Sequence, residues 1–121
     1  MRRLWTACLA ILALGAGPAV AQQQTNPVLE HYRAYRAAIE RGDTITAEAE
    51  AVSALRASEQ RDGDSGRTGV LALNLAIVRL TNDHAAEAVA PAAQALRVAE
   101  TNPAAGVDAL MARIVFARAQ L

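Results

Sequence analysis

The chain contains a single cysteine and no lysine. Because Cys8 lies within the N-terminal apolar run, the rest of the chain can form no disulfide and offers no thiol as nucleophile or metal ligand. Runs of strand-favouring residues are also missing, whereas alanine makes up nearly a quarter of the chain after residue 21. These features exclude a disulfide-stabilised domain and predict an all-α domain whose core is filled thinly by alanine.

The residue groupings that enzymes need are missing as well. The two histidines, His31 and His84, belong to no metal-binding or acid–base cluster, so we expect both to face solvent. No serine has a base partner nearby, and there is no nucleophile elbow or glycine-rich phosphate loop. The segment Asp62–Gly66 lacks the third oxygen ligand and the distant glutamate of a calcium loop. We therefore predict a non-catalytic protein without a metal or other cofactor.

Residues 1–21 have the organisation of a secretory signal peptide. A positive start, Arg2-Arg3, precedes an apolar run, Leu4–Gly15, that is shorter than the roughly 20 residues needed to span a membrane. The small-x-small sequence Ala19–Ala21 follows and predicts cleavage at its end. We therefore expect a periplasmic or secreted protein rather than one that keeps a membrane anchor.

Removal of this leader leaves ten arginines and twelve acidic residues, a net charge of −2. A weakly negative protein has no general attraction to a phosphate backbone or to anionic lipid. We therefore expect no nucleic acid partner and no membrane association after cleavage. The remaining length corresponds to one domain, with a polar lead-in at residues 22–26 and a helical domain at residues 27–121.

Helical periodicity and capping residues predict five helices. The first begins at Asn26-Pro27, a capping side chain followed by proline, and ends at Gly42. Asp43 or Thr44 can cap the second helix. The predicted ranges of the later helices are about Ile45–Gln60, Val70–Leu80, Ala85–Ala99 and Ala104 to the end.

Two features of the fourth helix carry expectations of their own. Asn82 or Asp83, in the short polar break before it, can cap its first turn. Pro91 lies inside the helix and cannot donate to the carbonyl of Glu87, at an expected cost of about 3 kcal/mol. We therefore expect the helix to bend at Pro91.

The sequence contains an internal repeat, in which Leu55 corresponds to Leu96. Segments Glu40–Glu59 and Leu80–Glu100 both run from a polar turn to Ala-Glu-Ala and then to Ala-Leu-Arg. Helix pairs with small residues at such positions resemble tetratricopeptide repeats, although the period here is about 41 residues and the usual one is about 34 residues. The longer period and the Leu73–Ala76 segment are similar to the long-loop repeats of kinesin light chains, in which proline is common in the second helix. This resemblance implies antiparallel helix pairs stacked as a short solenoid.

The resemblance also implies a binding groove. In tetratricopeptide repeats the first helix of each pair lines a concave surface, where an asparagine often hydrogen-bonds the backbone of a bound peptide. Asn74 occupies the matching place, Arg33 lies one repeat earlier, and Tyr32 and Arg36 lie beside Arg33, so the four residues are expected to share a groove. The alternative is that Asn74 pairs with a neighbouring helix or faces water, and that the arginines pair with glutamates on their own helix.

The function implied by the resemblance is that of an exported, non-catalytic scaffold that binds a protein or peptide in the cell envelope. The alternative is a structural or self-associating module, or the N-terminal periplasmic part of a larger envelope assembly such as an energy transducer.

The fifth helix bears on this alternative because it carries two apolar stripes. We expect the stripe of Val107, Leu110, Met111 and Ile114 to pack on the fourth helix. The second stripe, around Val115, Phe116 and Ala119, would then have no intrachain partner. An apolar face left in water predicts self-association into a homo-oligomer or docking onto a further domain or subunit.

We predict that the exported protein begins near Gln22, because the cleavage signal ends at Ala21. N-terminal sequencing of protein from the periplasmic fraction measures this directly. An intact Met1 on a membrane-bound form would contradict the prediction.

Overall fold

The computed structural model describes residues 25–121. Within this range the chain forms five α-helices, one 3-10 turn and no strand. The helices are α1 (Pro27–Glu40), α2 (Thr44–Asp62), α3 (Gly66–Thr81), α4 (Ala85–Thr101) and α5 (Ala109–Ala119), and the 3-10 turn is Pro103–Ala105. The all-α class is therefore confirmed for the described residues, while the signal peptide expected at residues 1–21 lies outside them.

Each helix packs on the next one along the chain. Short turns join α1 to α2 and α3 to α4, so the two helices of each pair run antiparallel. Within residues 25–121, helix α5 packs on α4 and also approaches α3, whereas α1 packs closely on α2 alone. This order places α1, α3 and α5 on one side of the molecule.

The internal repeat of the sequence reappears in the backbone. The ends of α1 and α3 are separated by the same offset as Leu55 and Leu96, and so are the starts of α2 and α4. The turns match at this offset too, because Gly42 and Asp83 both have positive φ, at 76° and 60°. Glycine adopts this left-handed conformation freely, and aspartate is one of the few other residues that tolerate it.

The second helices of the two pairs contribute alanines to the core. The fully or almost fully buried alanines at equivalent places are Ala47, Ala51 and Ala54 on α2, and Ala88, Ala92 and Ala95 on α4. Their small side chains allow close approach, and α3 contributes several of the larger buried side chains, including Leu71, Leu75 and Val78. The core is thus a set of narrow helix–helix contacts.

Two predicted caps are confirmed and one is wrong. The side chains of Asn26 and Asp43 accept hydrogen bonds from backbone N–H groups in the first turns of α1 and α2, at 3.4 and 3.0 Å. The cap of α4 was expected to be Asn82 or Asp83, but the N-cap residue is His84, whose side chain makes no capping bond. The amide of Asn82 is instead hydrogen-bonded to α2.

The fifth helix begins later than predicted. After the 3-10 turn, Gly106 adopts a left-handed conformation with φ of 82°. Asp108 then caps α5 by accepting from the backbone N–H of Met111 at 3.0 Å. The apolar pattern alone does not show this interruption, because the turn and the helix share the same alanine-rich composition.

Helix α5 also presents the opposite face to the core from the one expected. Val115 is buried and Phe116 is half-buried against the core, so the prediction that they lie on an unpartnered face is wrong. Ala112 and Ala119 are buried on the same side of α5 as Val115 and Phe116. Their small side chains allow α5 to pack more closely on its neighbours than larger side chains would. The large exposed residues are Leu110, Met111 and Ile114.

Gly69 marks a close approach between α3 and its neighbours. A β-carbon at this position would lie 2.8 Å from Cγ1 of Val98 and 2.7 Å from Cγ2 of Val107. We predict that Gly69→Ala lowers the free energy of unfolding, because overpacking of about 1–3 kcal/mol exceeds a helix-propensity gain of at most about 1 kcal/mol. Urea denaturation measures the change. Adding Val107→Ala to the Gly69→Ala variant removes one of the two crowding side chains and should recover part of the lost stability. A Gly69→Ala variant more stable than the unmodified protein would contradict the prediction.

Candidate functional site

The helices α1, α3 and α5 line a common surface, here called the odd-helix face. Its exposed or half-exposed side chains recur at helical spacing along each helix. They are Leu29, Tyr32, Arg33 and Arg36 on α1, Arg67, Val70, Asn74, Ile77 and Thr81 on α3, and Met111, Ile114 and Arg118 on α5. All four residues of the predicted groove belong to this face.

A cavity of about 410 Å³ opens on this face between the N-terminal parts of α1 and α3. In the part of the chain that the structure describes, α1 packs closely only on α2, which leaves this space beside α3. The cavity is mainly apolar, with an arginine, a tyrosine and an asparagine at its edge. The lining residues are Asn26, Val28, Leu29, Tyr32, Arg67, Val70 and Leu71.

A second cavity, of about 300 Å³, lies on the same face between the C-terminal part of α3 and α5. It is again mainly apolar and again has an arginine among its lining residues. The residues are Ile77, Leu80, Thr81, Met111, Ile114, Val115 and Arg118. The two cavities therefore lie on either side of the exposed strip of α3.

Asn74 lies on that strip, one turn after Val70 in the first cavity and one turn before Ile77 in the second. Its side chain is half-exposed and forms no side-chain hydrogen bond to another residue within 25–121. The alternative that Asn74 pairs with a neighbouring helix is therefore not seen in the described part of the chain. Its amide is free to donate and accept hydrogen bonds on the odd-helix face.

Of the other predicted residues only Tyr32 lines the first cavity, and the three do not form one cluster with Asn74. Tyr32 lines the cavity, its ring centroid lies 6.1 Å from that of Tyr35, and its hydroxyl is 3.5 Å from Nη1 of Arg36. Burial raises the pKa of Tyr35, with a further contribution from Tyr32 and an opposing one from Arg36. Arg33 is exposed and, like Arg36, forms no ion pair within residues 25–121.

The charged side chains of the odd-helix face are all arginines. Among the described residues, only Arg67 of this face lies within 4.0 Å of a carboxylate, that of Asp62, and the contact is exposed to solvent. The face is thus locally positive in a chain whose formal charge is zero. Such a face attracts carboxylates and repels basic segments.

Sequence reasoning missed a polar cluster on α2 around Glu48. One carboxylate oxygen of Glu48 accepts from Nδ2 of Asn82 at 2.9 Å and lies 2.8 Å from Nδ1 of His84. The other oxygen is 3.5 Å from Nε of Arg79. Burial raises the pKa of Glu48, but the hydrogen bonds from Asn82 and His84, with the charges of His84 and Arg79, outweigh it and hold the pKa below its ordinary value.

Arg79 also resolves the problem that Pro91 creates in α4. The carbonyl of Glu87 has no intrahelical donor because proline lacks an N–H, and Nη1 of Arg79 donates to it at 2.9 Å. Helix α4 is continuous through Pro91. One arginine on α3 therefore contacts both α2 and α4.

His84 is exposed and His31 is half-exposed, in line with the prediction that both face solvent, and each also has an acidic partner. Nδ1 of His31 lies 2.7 Å from a carboxylate oxygen of Glu50, and His84 contacts Glu48. Glu48 and Glu50 are two residues apart on α2 and so point to different sides of this helix. Through these two side chains, α2 contacts both α1 and the N-cap residue of α4. Within residues 25–121 no group of three or more potential ligands is placed to hold a metal ion.

None of the helices between residues 25 and 121 is long and apolar enough to cross a membrane. Comparison with protein-family models, with curated protein sequences and with solved structures finds no match to this chain. The described residues form an all-helical fold in which each helix packs on the next one. Because the comparisons find no match, the resemblance to tetratricopeptide repeats stays a prediction.

We predict that Glu48→Gln destabilises the protein at neutral pH by about 1–3 kcal/mol, the typical effect of losing hydrogen bonds to a charged group. A carboxylate whose pKa is depressed by folding stabilises the protein above its unfolded value and loses this contribution as pH falls through the folded value. The loss of stability caused by Glu48→Gln should therefore become smaller as the pH falls below 4.5, the ordinary pKa of glutamate. Urea denaturation across this range tests the prediction, with the exposed Glu100→Gln as control. An equal deficit at all pH values would contradict it.

Proposed function

We propose that the protein is an exported, non-catalytic helical-repeat module that binds a peptide or protein segment in the cell envelope. The observation that supports this proposal is the odd-helix face, where two apolar cavities lie on either side of a half-exposed asparagine on α3. Two cavities with a free amide between them suit a segment that inserts two apolar side chains and hydrogen-bonds through its backbone.

The spacing of the cavities suggests the pattern of such a segment. Val70 and Ile77 are seven residues apart on α3, which corresponds to about 10 Å along the helix axis. A chain in the polyproline II conformation covers about this distance in one turn of three residues, which returns its side chains to the same side. We therefore propose a segment with two apolar residues three positions apart, and with acidic residues that pair with Arg36, Arg67 or Arg118.

The proposed architecture is a short tetratricopeptide-like solenoid of the long-loop, kinesin-light-chain type. Its support is the internal repeat of helix boundaries and turns, together with the buried alanines at equivalent places on α2 and α4. In such a solenoid the odd-numbered helices would line the concave side, which is the side that carries the two cavities.

A structural role remains the second candidate, either as a self-associating module or as the periplasmic part of an envelope assembly such as an energy transducer. The exposed apolar side chains of α5 favour this role, because such a face seeks a partner. Solution mass distinguishes the candidates. A monomer favours the odd-helix face as the working surface, whereas a stable oligomer favours self-association.

We predict that a double Arg33→Ala, Arg36→Ala variant and a single Asn74→Ala variant weaken ligand binding at least about tenfold, because each removes polar contacts from the odd-helix face. Peptides selected from a random library, with affinities measured by calorimetry, provide the ligand. The melting temperature should hardly change, since exposed polar residues usually alter stability by less than about 0.5 kcal/mol.

The matched control is Arg61→Ala, which removes an exposed arginine near the end of α2, away from the odd-helix face. Affinity that falls equally in the control would indicate a general charge effect. A sharp loss of stability without loss of binding would show that these residues are structural and that the peptide binds elsewhere.

A further inference from the structure

We propose that a third cavity, between α2 and α4, binds a free α-amino acid with an aliphatic side chain. This cavity, here called the α2–α4 cavity, has a volume of about 230 Å³ and is lined by residues of α2, α3 and α4. It shares none of its lining residues with the two cavities of the odd-helix face. The amino-acid site therefore goes beyond the proposed function and does not rest on it.

The α2–α4 cavity exists because the second helices of the two pairs do not touch. Within residues 25–121, α2 and α4 each pack on α3 but not on each other, so the buried Leu75 of α3 forms the floor of the groove between them. Polar contacts cross this groove at two levels. Glu48 approaches His84 at 2.8 Å at one of them, and Glu59 accepts a hydrogen bond from Gln94 at 3.0 Å at the other. The cavity lies between these two bridges, which bound it at each end.

The floor and walls of the cavity are apolar. They are formed by Val52 and Leu55 on α2, Leu75 on α3, and Ala90 and Pro91 on α4. Sites for drug-sized ligands have volumes of about 300–1,000 Å³, so a cavity of about 230 Å³ suits a smaller apolar group. An aliphatic side chain such as that of leucine is a group of this kind.

The cavity is also lined by an arginine and a glutamate that do not pair with each other. Arg56 and Glu59 lie one turn apart on α2, where opposite charges commonly pair. Here the hydrogen bond from Gln94 turns Glu59 toward α4, and among the described residues Arg56 has no carboxylate within 4.0 Å. A guanidinium and a carboxylate therefore lie close together, and each keeps hydrogen-bonding capacity that is not used.

This pair of charges is complementary to the two charges of a free α-amino acid. The guanidinium of Arg56 can bind the carboxylate of the ligand through two parallel hydrogen bonds. The ammonium group has three donors, and the second carboxylate oxygen of Glu59 and the amide oxygen of Gln94 are acceptors that no side chain within residues 25–121 occupies. A residue inside a peptide carries neither charge on its backbone, so the charges favour a free amino acid.

A simple amine or a simple carboxylic acid matches the cavity less well. An amine would meet two arginines, and the charge of Arg79 is only loosely compensated. Its Nε is buried without a hydrogen-bond partner in the described part of the chain and lies 3.5 Å from the carboxylate of Glu48. A carboxylic acid would bring its charge close to Glu59, which repels it. A ligand that carries both charges avoids both costs.

The amino-acid site is tested by titrating isotope-labelled protein with L-leucine and following its amide signals by NMR. We expect saturable shifts around Val52, Leu75 and the side-chain amide of Gln94, with a dissociation constant of about 1 mM, because a ligand with so few atoms gains little affinity. Leucinamide lacks the carboxylate, N-acetylleucine lacks the ammonium group, and glycine lacks the apolar side chain. Each of the three should bind at least about fivefold more weakly than leucine.

Two variants assign the charges. Arg56→Gln should weaken leucine binding about fivefold and remove the preference for leucine over leucinamide, because the partner of the carboxylate is lost. Glu59→Gln should weaken leucine binding to a similar extent and remove the preference for leucine over N-acetylleucine. The matched controls are Arg61→Gln and Glu100→Gln, which remove exposed charges outside the cavity and should leave these affinities unchanged.

Three results would overturn the proposal. The first is equal binding of leucine, leucinamide and N-acetylleucine, which would indicate apolar adhesion without recognition of the charges. The second is a titration without saturation below about 20 mM leucine, and the third is a set of shifts confined to the odd-helix face. Library peptides serve as a separate measurement, because Arg56 lies outside the proposed peptide site. A protein that binds these peptides but not leucine would contradict only the amino-acid site, and one that binds leucine but no peptide would contradict only the proposed function.

Discussion

Arg79 is the side chain that links the two helix pairs of this protein through contacts to both α2 and α4. Its guanidinium approaches the carboxylate of Glu48 on α2 and donates to the backbone of α4 at the carbonyl that Pro91 leaves free. Buried alanines contribute less hydrophobic stabilisation per residue than larger side chains do, because they remove less apolar area from water. Packing of a thin alanine core would by itself leave the relative orientation of the helices loosely defined. Partly buried polar contacts between the helices therefore set this orientation.

The odd-helix face depends on that orientation. Arg79 and Asn74 lie five residues apart and so on different sides of α3, and anchoring Arg79 between α2 and α4 directs Asn74 toward solvent. Within residues 25–121 α1 packs on α2 alone, and the first cavity opens in the space between α1 and the anchored α3. The polar contacts on one side of the molecule thus determine the shape of the possible binding surface on the other.

Local features of the chain were predictable from sequence, whereas choices between distant partners were not. The caps at Asn26 and Asp43 and the left-handed turn at Gly42 depend on neighbouring residues only. The partner of Glu48 cannot be inferred locally, because Asn82 lies 34 residues away and could equally have capped α4. The choice between the two apolar stripes of α5 likewise depends on how closely its alanines approach the helices beside it, which periodicity does not encode.

The consecutive packing of the helices has a consequence for how the chain folds. Helix contacts join elements that are close in sequence, which corresponds to a low contact order and to rapid folding. Either helix pair can form first and act as a template for the next helix, much as in linear repeat arrays. Unfolding should begin at the ends, and amide hydrogens of α1 should exchange with solvent sooner than those of α3, which is held from both sides.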